Sequence, residues 1–288
     1  MLQKILLADS GSGQGEQMLN YLLDLPSFQS ATVTVLHVLP PEAGSDQMND
    51  KRQEAAVTLA KTVERLHLES GTNRVRAVNT LLREGEPKDE VCRVADEIGA
   101  DLIIMGSRGL KRLQAILDNS VSQYVFQLSS HPMLLVKEDV FVKRLNRVMV
   151  AVNPSGASQE ALDIAIRMVR DIKDGRLILA HVNKDLNARV KLTPAEAERD
   201  AVLAPIVSRL KRESITYQCF AGNGKPGSEI CAIAEEASAD LLILGSPDRR
   251  PSVARSFVDL DRLLGASVSD YVRVHTPCPV LFVRQSEK

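Results

Sequence analysis

REGEPKDEVCRVADEIGADLIIMGS at 83–107 is answered, 139 residues further on, by GNGKPGSEICAIAEEASADLLILGS at 222–246. Each stretch passes from a Gly-containing turn through Pro into a helical pattern, then through Ala-Asp into an apolar run ending on Gly-Ser. The flanks repeat as well. NSVSQYVFQLSSHPMLLVK at 119–137 matches ASVSDYVRVHTPCPVLFVR at 266–284, and the second copy carries eight more residues between Gly245 and Ser267. KILLADS at 4–10 is echoed by RVMVAVNPS at 147–155, which sets Asp9 opposite Asn153. TVTVLHV at 32–38 is echoed by GRLILAHV at 175–182, which sets His37 opposite His181, again 144 residues apart. A duplicated unit of this size makes two domains of the 288-residue chain, 1–142 and 143–288. The joint EDVFVKRLNR at 138–147 is short and charged, which predicts closely packed halves and not a flexible tether.

Within the first copy the pattern predicts strands near 4–8, 32–38, 74–80, 101–105 and 133–137. Helices are expected near 15–24, 49–69 and 87–98 and within 106–129. ILLA, LIIM and MLLV are continuous apolar runs without alternation, as parallel strands covered on both faces require. Right-handed crossovers through the intervening helices then give a doubly wound α/β sheet of about five strands per half. In such sheets ligands collect outside the carboxyl ends of the strands, so the loops beginning at Asp9, at His37–Leu39 and at Gly106 are the ones to interrogate.

Composition narrows the partners. Lys and Arg total 36 against 37 for Asp and Glu, and aromatic residues make up only 3% with no Trp. Neither a basic surface for nucleic acid nor a base-stacking platform is indicated. No apolar run approaches the length that spans a bilayer, and MLQKILLADS meets an acid too soon to be a signal peptide or anchor, so the reading is of a cytoplasmic protein without a membrane partner. Cys92, Cys219, Cys231 and Cys278 form no CxxC pair and read as small buried hydrophobes; five His without HExxH spacing make zinc, or any metal site, improbable.

The loop MGSRG at 105–109 carries the clearest chemistry. Gly106 and Gly109 let backbone amides approach phosphate oxygens, while Asn119, Ser120 and Val121 open the next helix, whose free amides and Ser hydroxyl complete a cradle for a polyphosphate. The same glycines serve equally to turn the chain, with Ser120 as a helix cap. Arg108, Lys111 and Arg112 either meet phosphates or decorate a solvated loop. Asp9, ending an apolar strand at the crevice, either accepts from a base or ribose or caps the next helix. His37 and His181 read as hydrogen-bonded residues at strand ends. Glu84 and Glu86 flank Gly85 but supply no convincing catalytic pair.

Other phosphate and nucleophile motifs are missing. GxxxxGK[ST] and GxSxG do not occur. GSGQGE at 11–16 resembles the dinucleotide fingerprint, but Glu16 stands where its third Gly belongs, and the second strand ends without the ribose-binding acid.

Two tandem α/β units, an Asp ending the first strand, and G-x2-G-x9-G-[ST] before a helix and a P-V-L-x-V strand resemble the universal stress protein family over essentially the whole chain. The resemblance implies Rossmann-like five-stranded parallel sheets of order 3-2-1-4-5, and a branch that binds ATP beside one that does not. It also implies that the last strand pairs across a dimer, here as an intramolecular pseudo-dimer through 133–137 and 280–284, with a homodimer also compatible. Carried over by residue, it puts Asp9 on the adenine side, Val38 beside the base, Met105 and Gly106 near ribose and phosphates, and Gly109, Ser120 and Val121 at the phosphates. Asn119 departs from the family's Gly there. The second half departs further: Asn153 replaces the acid, Asp248 the second Gly, Ala266 stands opposite Asn119, and the longer RRPSVARSFVDLDRL intervenes. Two function classes follow. One is an adenine-nucleotide-binding stress or signalling protein that takes ATP, with magnesium carried by its phosphates, in the N-terminal half and no cofactor in the C-terminal half. The other is an interaction scaffold with relic loops. A dedicated hydrolase or phosphotransferase lacks a positioned base or nucleophile, so no catalytic residue is assigned and at most weak ATP hydrolysis is expected.

Overall fold

The structure, a computed structural model, describes residues 2–8, 13–41, 45–68, 75–107, 120–183, 186, 188–246 and 267–284. The chain divides into two compact units, Met1–Asp139 and Val140–Lys288.

In the first unit the apolar runs become β1 (Lys4–Ala8), β2 (Ala31–Leu39), β3 (Val75–Glu84), β4 (Leu102–Ser107) and β5 (Met133–Lys137). They form a parallel sheet of order β3-β2-β1-β4-β5. The central β1 and β4 bury nearly every residue, as their lack of polar alternation requires. Helices α1 (Gln14–Leu23), α2 (Ser45–Leu68), α3 (Pro87–Ile98) and α4 (Val121–Leu128) make the crossovers. Local chemistry sets their ends. Pro87 occupies the first turn of α3, Asp89 and Glu90 complement its dipole, and Gly99 at φ 58° stops it in the left-handed conformation. Gly13 opens α1 at φ 81°, again a conformation that favours Gly. The outer β3 is longer than expected and mostly exposed, with Arg83 and Glu84 charging its edge.

The second unit repeats this plan and adds to it. Its strands are β6 (Arg147–Ala151), β7 (Arg176–Val182), β8 (Val190–Leu192), β9 (Tyr217–Gly222), β10 (Leu241–Ser246) and β11 (Val280–Arg284), in the order β11-β10-β6-β7-β9-β8. Five are parallel in the expected 3-2-1-4-5 arrangement; the sixth, β8, runs antiparallel on β9. This corrects the expectation of an all-parallel five-stranded second sheet. The cause is local. Where the first unit has the single helix α2, the second has β8, then α6 (Pro194–Ala197) and α7 (Leu203–Arg212). Thr193 and Glu196 form a capping box with Pro194 at the first helical position, so the helix cannot begin earlier and Val190–Leu192 are free to cover the β9 edge. The other helices are α5 (Gly156–Asp171), α8 (Pro226–Glu236) and α9 (Val268–His275).

The Ala-Asp shared by the two long repeats has one job in both units. Asp101 Oδ2 accepts from the Gln3 and Lys4 amides, each at 2.9 Å. Asp240 Oδ2 accepts from the Asn146 and Arg147 amides at 3.0 and 2.7 Å. Each carboxylate thus fixes the start of the unit's first strand beside its fourth. Among the described residues no helix is long and apolar enough to cross a membrane.

Candidate functional site

In the first unit β1 ends at Ala8, level with Leu36 of β2 on one side and Met105 of β4 on the other. Val38 lies half-buried two residues beyond Leu36; Met105 is buried and Gly106 half-buried at the end of β4. Chain then returns to α4, which packs on β4 and begins after Ser120. The described members of the expected site, Val38, Met105, Gly106, Ser120 and Val121, thus fall at strand carboxyl ends or at the helix start that follows. Asp9, Gly109 and Asn119 lie outside the described residues, as do Arg108, Lys111 and Arg112.

The two helix starts differ in chemistry. Ser120 has the extended backbone of an N-cap, yet its side chain makes no capping bond; its Oγ lies 2.8 Å from the Ser122 hydroxyl. The first-turn amides of α4 therefore receive no cap from Ser120, and no acid stands in that turn. Ser267 at the start of α9 is fully engaged. It accepts from the Asp270 amide at 3.1 Å and donates to Asp270 Oδ2 at 2.5 Å, which places a carboxylate in the first turn. Among the described residues no N-cap side chain bonds the α4 amides, whereas a resident negative charge stands at the start of α9. Asp270 is the functional difference that the sequence reading passed over. Its signal is one letter, SVSD against SVSQ, the S-x-x-D capping pattern.

The second crevice is occupied by its own side chains in other ways. Asn153 Oδ1 accepts from the Ser155 amide at 2.8 Å, and Ser155 caps α5 by accepting from the Ser158 amide at 3.2 Å. At Gly245 an added Cβ would lie 2.5 Å from the Ala157 carbonyl carbon and the Ser158 amide nitrogen. That Gly is required by close packing of α5 on β10, whatever the loop beyond it does. Ser246 is buried, accepting from Arg284 at 2.9 Å and lying 3.0 Å from the Ser269 hydroxyl. Asp248, Gly265 and Ala266 lie outside the described residues.

Strand register also refines the comparison of the two copies. Ala8 pairs with Leu36 and Met105, Ala151 with Ala180 and Leu244, so β1 and β6 are offset by 143 residues. Asp9 follows Ala8 directly, whereas Asn153 is two residues beyond Ala151. Counted along the sequence from these aligned residues, the first copy has one residue fewer before its Asp than the second has before its Asn.

Remaining candidates resolve into structure. Glu84 pairs with Arg52 at 2.7 Å, which holds its carboxyl below the usual range, and Glu86 is the N-cap residue of α3. Glu16, the residue that spoils the dinucleotide fingerprint, is buried and held by Arg65 at 2.6 and 2.8 Å and by Thr62 at 3.1 Å, tying α1 to α2. His181 Nδ1 lies 3.1 Å from the Val152 carbonyl, as expected; the buried His37 Nδ1 has no partner among the described residues. Cys219, Cys231 and Cys278 are buried and Cys92 half-buried, all unpaired by disulfide. Burial and nearby Asp200 push the Cys219 thiol up to about 12. Among the described residues no three His, Cys, Asp or Glu side chains converge as metal ligands.

Comparison with known proteins places this fold. The sequence profile of the universal stress protein family matches residues 1–137 and again 144–284. The chain belongs to the universal stress protein family, as two tandem copies of its domain. It is 28% identical over 152 residues to the universal stress protein YxiE of Bacillus subtilis, covering 48% of this chain and 100% of that protein. It is 32% identical over 120 residues to the universal stress protein Sll1654 of Synechocystis, covering 42% of this chain and 74% of that protein. The crystal structure of a universal stress protein from Archaeoglobus fulgidus superposes with a TM-score of 0.75 at 23% identity, over 99% of this chain and 97% of that one, which establishes the tandem fold.

Proposed function

We propose that this protein binds an adenine nucleotide, ATP, in the crevice of its N-terminal unit and acts in stress response or signalling through that occupancy. The observation that carries the reading is the contrast between the uncapped start of α4 and the acid-capped start of α9. The residues present suit the ligand. Val38 offers apolar surface to the base, Met105 and Gly106 line the ribose side, and Ser120 and Val121 offer a hydroxyl and amides to phosphates. Asp9, Gly109 and Asn119 complete the set by sequence. Bound ATP supplies the negative charge that the helix start attracts, with magnesium held by its phosphates.

The C-terminal unit, in this reading, takes no nucleotide and serves as a structural partner. We further infer that the apolar strands Met133–Lys137 and Val280–Arg284 are the edges through which the two domains associate as a pseudo-dimer. Their composition and the short connector support this. Calorimetric titration with ATP and magnesium tests the nucleotide reading. The parent binds; Gly109→Asp abolishes binding by setting a carboxylate against the phosphates; Asp9→Ala weakens it; Asn119→Gly tightens it. Equal affinity in all four proteins, or none in the parent, favours the scaffold reading of the same fold.

A further inference from the structure

The two units differ at one sheet edge. In the second, the outer β9 is covered by β8, which pairs with it antiparallel from Val190–Ala221 to Leu192–Cys219. In the first, β3 takes the same place in the strand order and ends the sheet, with no strand on its far side among the described residues. Burial follows this difference. β9 is buried from Cys219 to Gly222, whereas every residue of β3 after Val75 is exposed or half-buried. The charges of β3 stand toward its ends, at Arg76, Arg83 and Glu84. Ala77–Leu82 carries none, so no charge guards the middle of a ten-residue edge.

Pairing with β2 fixes which backbone groups this edge offers. The Gly85 amide donates to the Leu39 carbonyl at 3.0 Å, and Leu39 stands opposite Glu84. Backbone groups alternate in direction along a strand, so the odd-numbered residues from Ala77 onward bond β2. The amides and carbonyls of Val78, Thr80, Leu82 and Glu84 then point away from the sheet, and these four residues share one of its faces. A second copy of the strand docks antiparallel only where outward-pointing residues oppose each other. A two-fold axis through Thr80 meets that condition. Thr80 then faces Thr80, Val78 faces Leu82, and Glu84 faces Arg76. The last pair is complementary in charge. Arg76 is exposed and makes no ion pair among the described residues; it stands where the register shifts, between Val75 opposite Ala31 and Ala77 opposite Thr32. Glu84 holds Arg52 through Oε1. Neighbouring axes at Asn79 or Leu81 set Arg76 against Leu82, or Glu84 against Val78, and lose this match.

We propose that β3 is a self-association edge, on which a second copy of this chain adds its own β3 antiparallel about Thr80. Val78 and the 37% exposed Leu82 cover each other on both sides of the axis. Thr80 meets its own copy, and an Arg76–Glu84 pair closes each end. The central pairs exchange about six backbone hydrogen bonds, two for each. The occupant is a second copy because this face complements itself both in apolar contact and in charge. The second unit cannot join in the same way, since β8 already covers its edge.

Sedimentation velocity of the full chain from micromolar to sub-millimolar concentration tests this, with amide hydrogen exchange read at both ends of the range. A monomer–dimer equilibrium is expected, with exchange slowed at Val78, Thr80 and Leu82 in the dimer. Thr80→Pro removes an amide that faces away from β2, so the dimer is lost while the dilute protein keeps its melting temperature. Leu82→Lys, which leaves the backbone unchanged, gives the same loss. Arg76→Glu and Glu84→Arg each weaken self-association about tenfold by opposing like charges at both ends, and an equimolar mixture of the two restores a heterodimer. A chain that stays monomeric throughout, a dimer that survives Thr80→Pro and Leu82→Lys, protection confined to Met133–Lys137 or Val280–Arg284, or a mixture no tighter than its components overturns the proposal. None of these results depends on whether the N-terminal crevice binds ATP.

Discussion

Asn153 turns its side-chain oxygen back onto the Ser155 amide, 2.8 Å away, and so spends on its own backbone the acceptor that a ligand would need. This Asx turn feeds the Ser155 cap of α5. Asn153→Asp is expected to preserve the turn and add no nucleotide to the count per chain. Asn153→Ala is expected to lower stability by about 1 kcal/mol. Chemical denaturation and ATP titration of the two variants check both statements; a second equivalent of ATP bound by Asn153→Asp contradicts them.

Ser120 and Ser267 occupy matching positions but do different work. Ser267→Ala removes a true cap and should cost about 1 kcal/mol of stability without changing ATP binding. Ser120→Ala removes a hydroxyl that caps nothing but bonds the buried Ser122 hydroxyl, so its stability cost should be about 1 kcal/mol, from that lost bond and not from the helix end. Its separate effect should appear in ATP affinity. Urea unfolding should register both losses, calorimetry on the pair separates the roles, and the reverse pattern in affinity would refute them.

Glu16 and Arg65 form a pair in which the acid is 5% exposed and the guanidinium 45%. Arg65→Met leaves the buried Glu16 carboxylate without this cation. A fully buried pair broken in this way costs about 3–5 kcal/mol; solvent around Arg65 reduces the expectation to about 2–3 kcal/mol. Glu16→Leu combined with Arg65→Met should recover much of the loss, measured as a double-mutant cycle by thermal unfolding. Simple additivity of the two single changes would contradict the coupling.

Most of the fold could be read from the duplicated sequence, because buried parallel strands are written as apolar runs such as LIIM and LLIL. The exception was β8. Val190–Leu192 are only three residues, two of them exposed, and a strand that short is specified by the Thr193–Glu196 cap and by pairing with β9, not by any apolar pattern. At the site, Val38, Met105 and Gly106 lie at strand ends and Ser120 and Val121 at a helix start, while their assignment to a nucleotide came from the family resemblance. The meaning of Gly245 was hidden: in sequence it looks like part of a phosphate loop, and only the backbone of α5 pressed against it reveals a packing requirement. Asp270 was visible but unread, since capping is decided by which side chain turns back onto the helix.

Cys92 is the one cysteine with appreciable exposure, and Cys219 is held as the thiol by burial and by Asp200 up to about pH 12. Alkylation of the native protein between pH 7 and 9 should therefore modify Cys92 first, with Cys219, Cys231 and Cys278 reacting only on unfolding. Peptide mass mapping over time checks the order; early labelling of Cys219 would contradict the packing of β9.

The central claim, one adenine nucleotide held by the first unit and none by the second, is tested most directly by equilibrium dialysis of the full chain against ATP and magnesium. The account predicts saturation at one nucleotide per chain, lost in Gly109→Asp. Saturation at two, or no bound nucleotide in the parent, would contradict it.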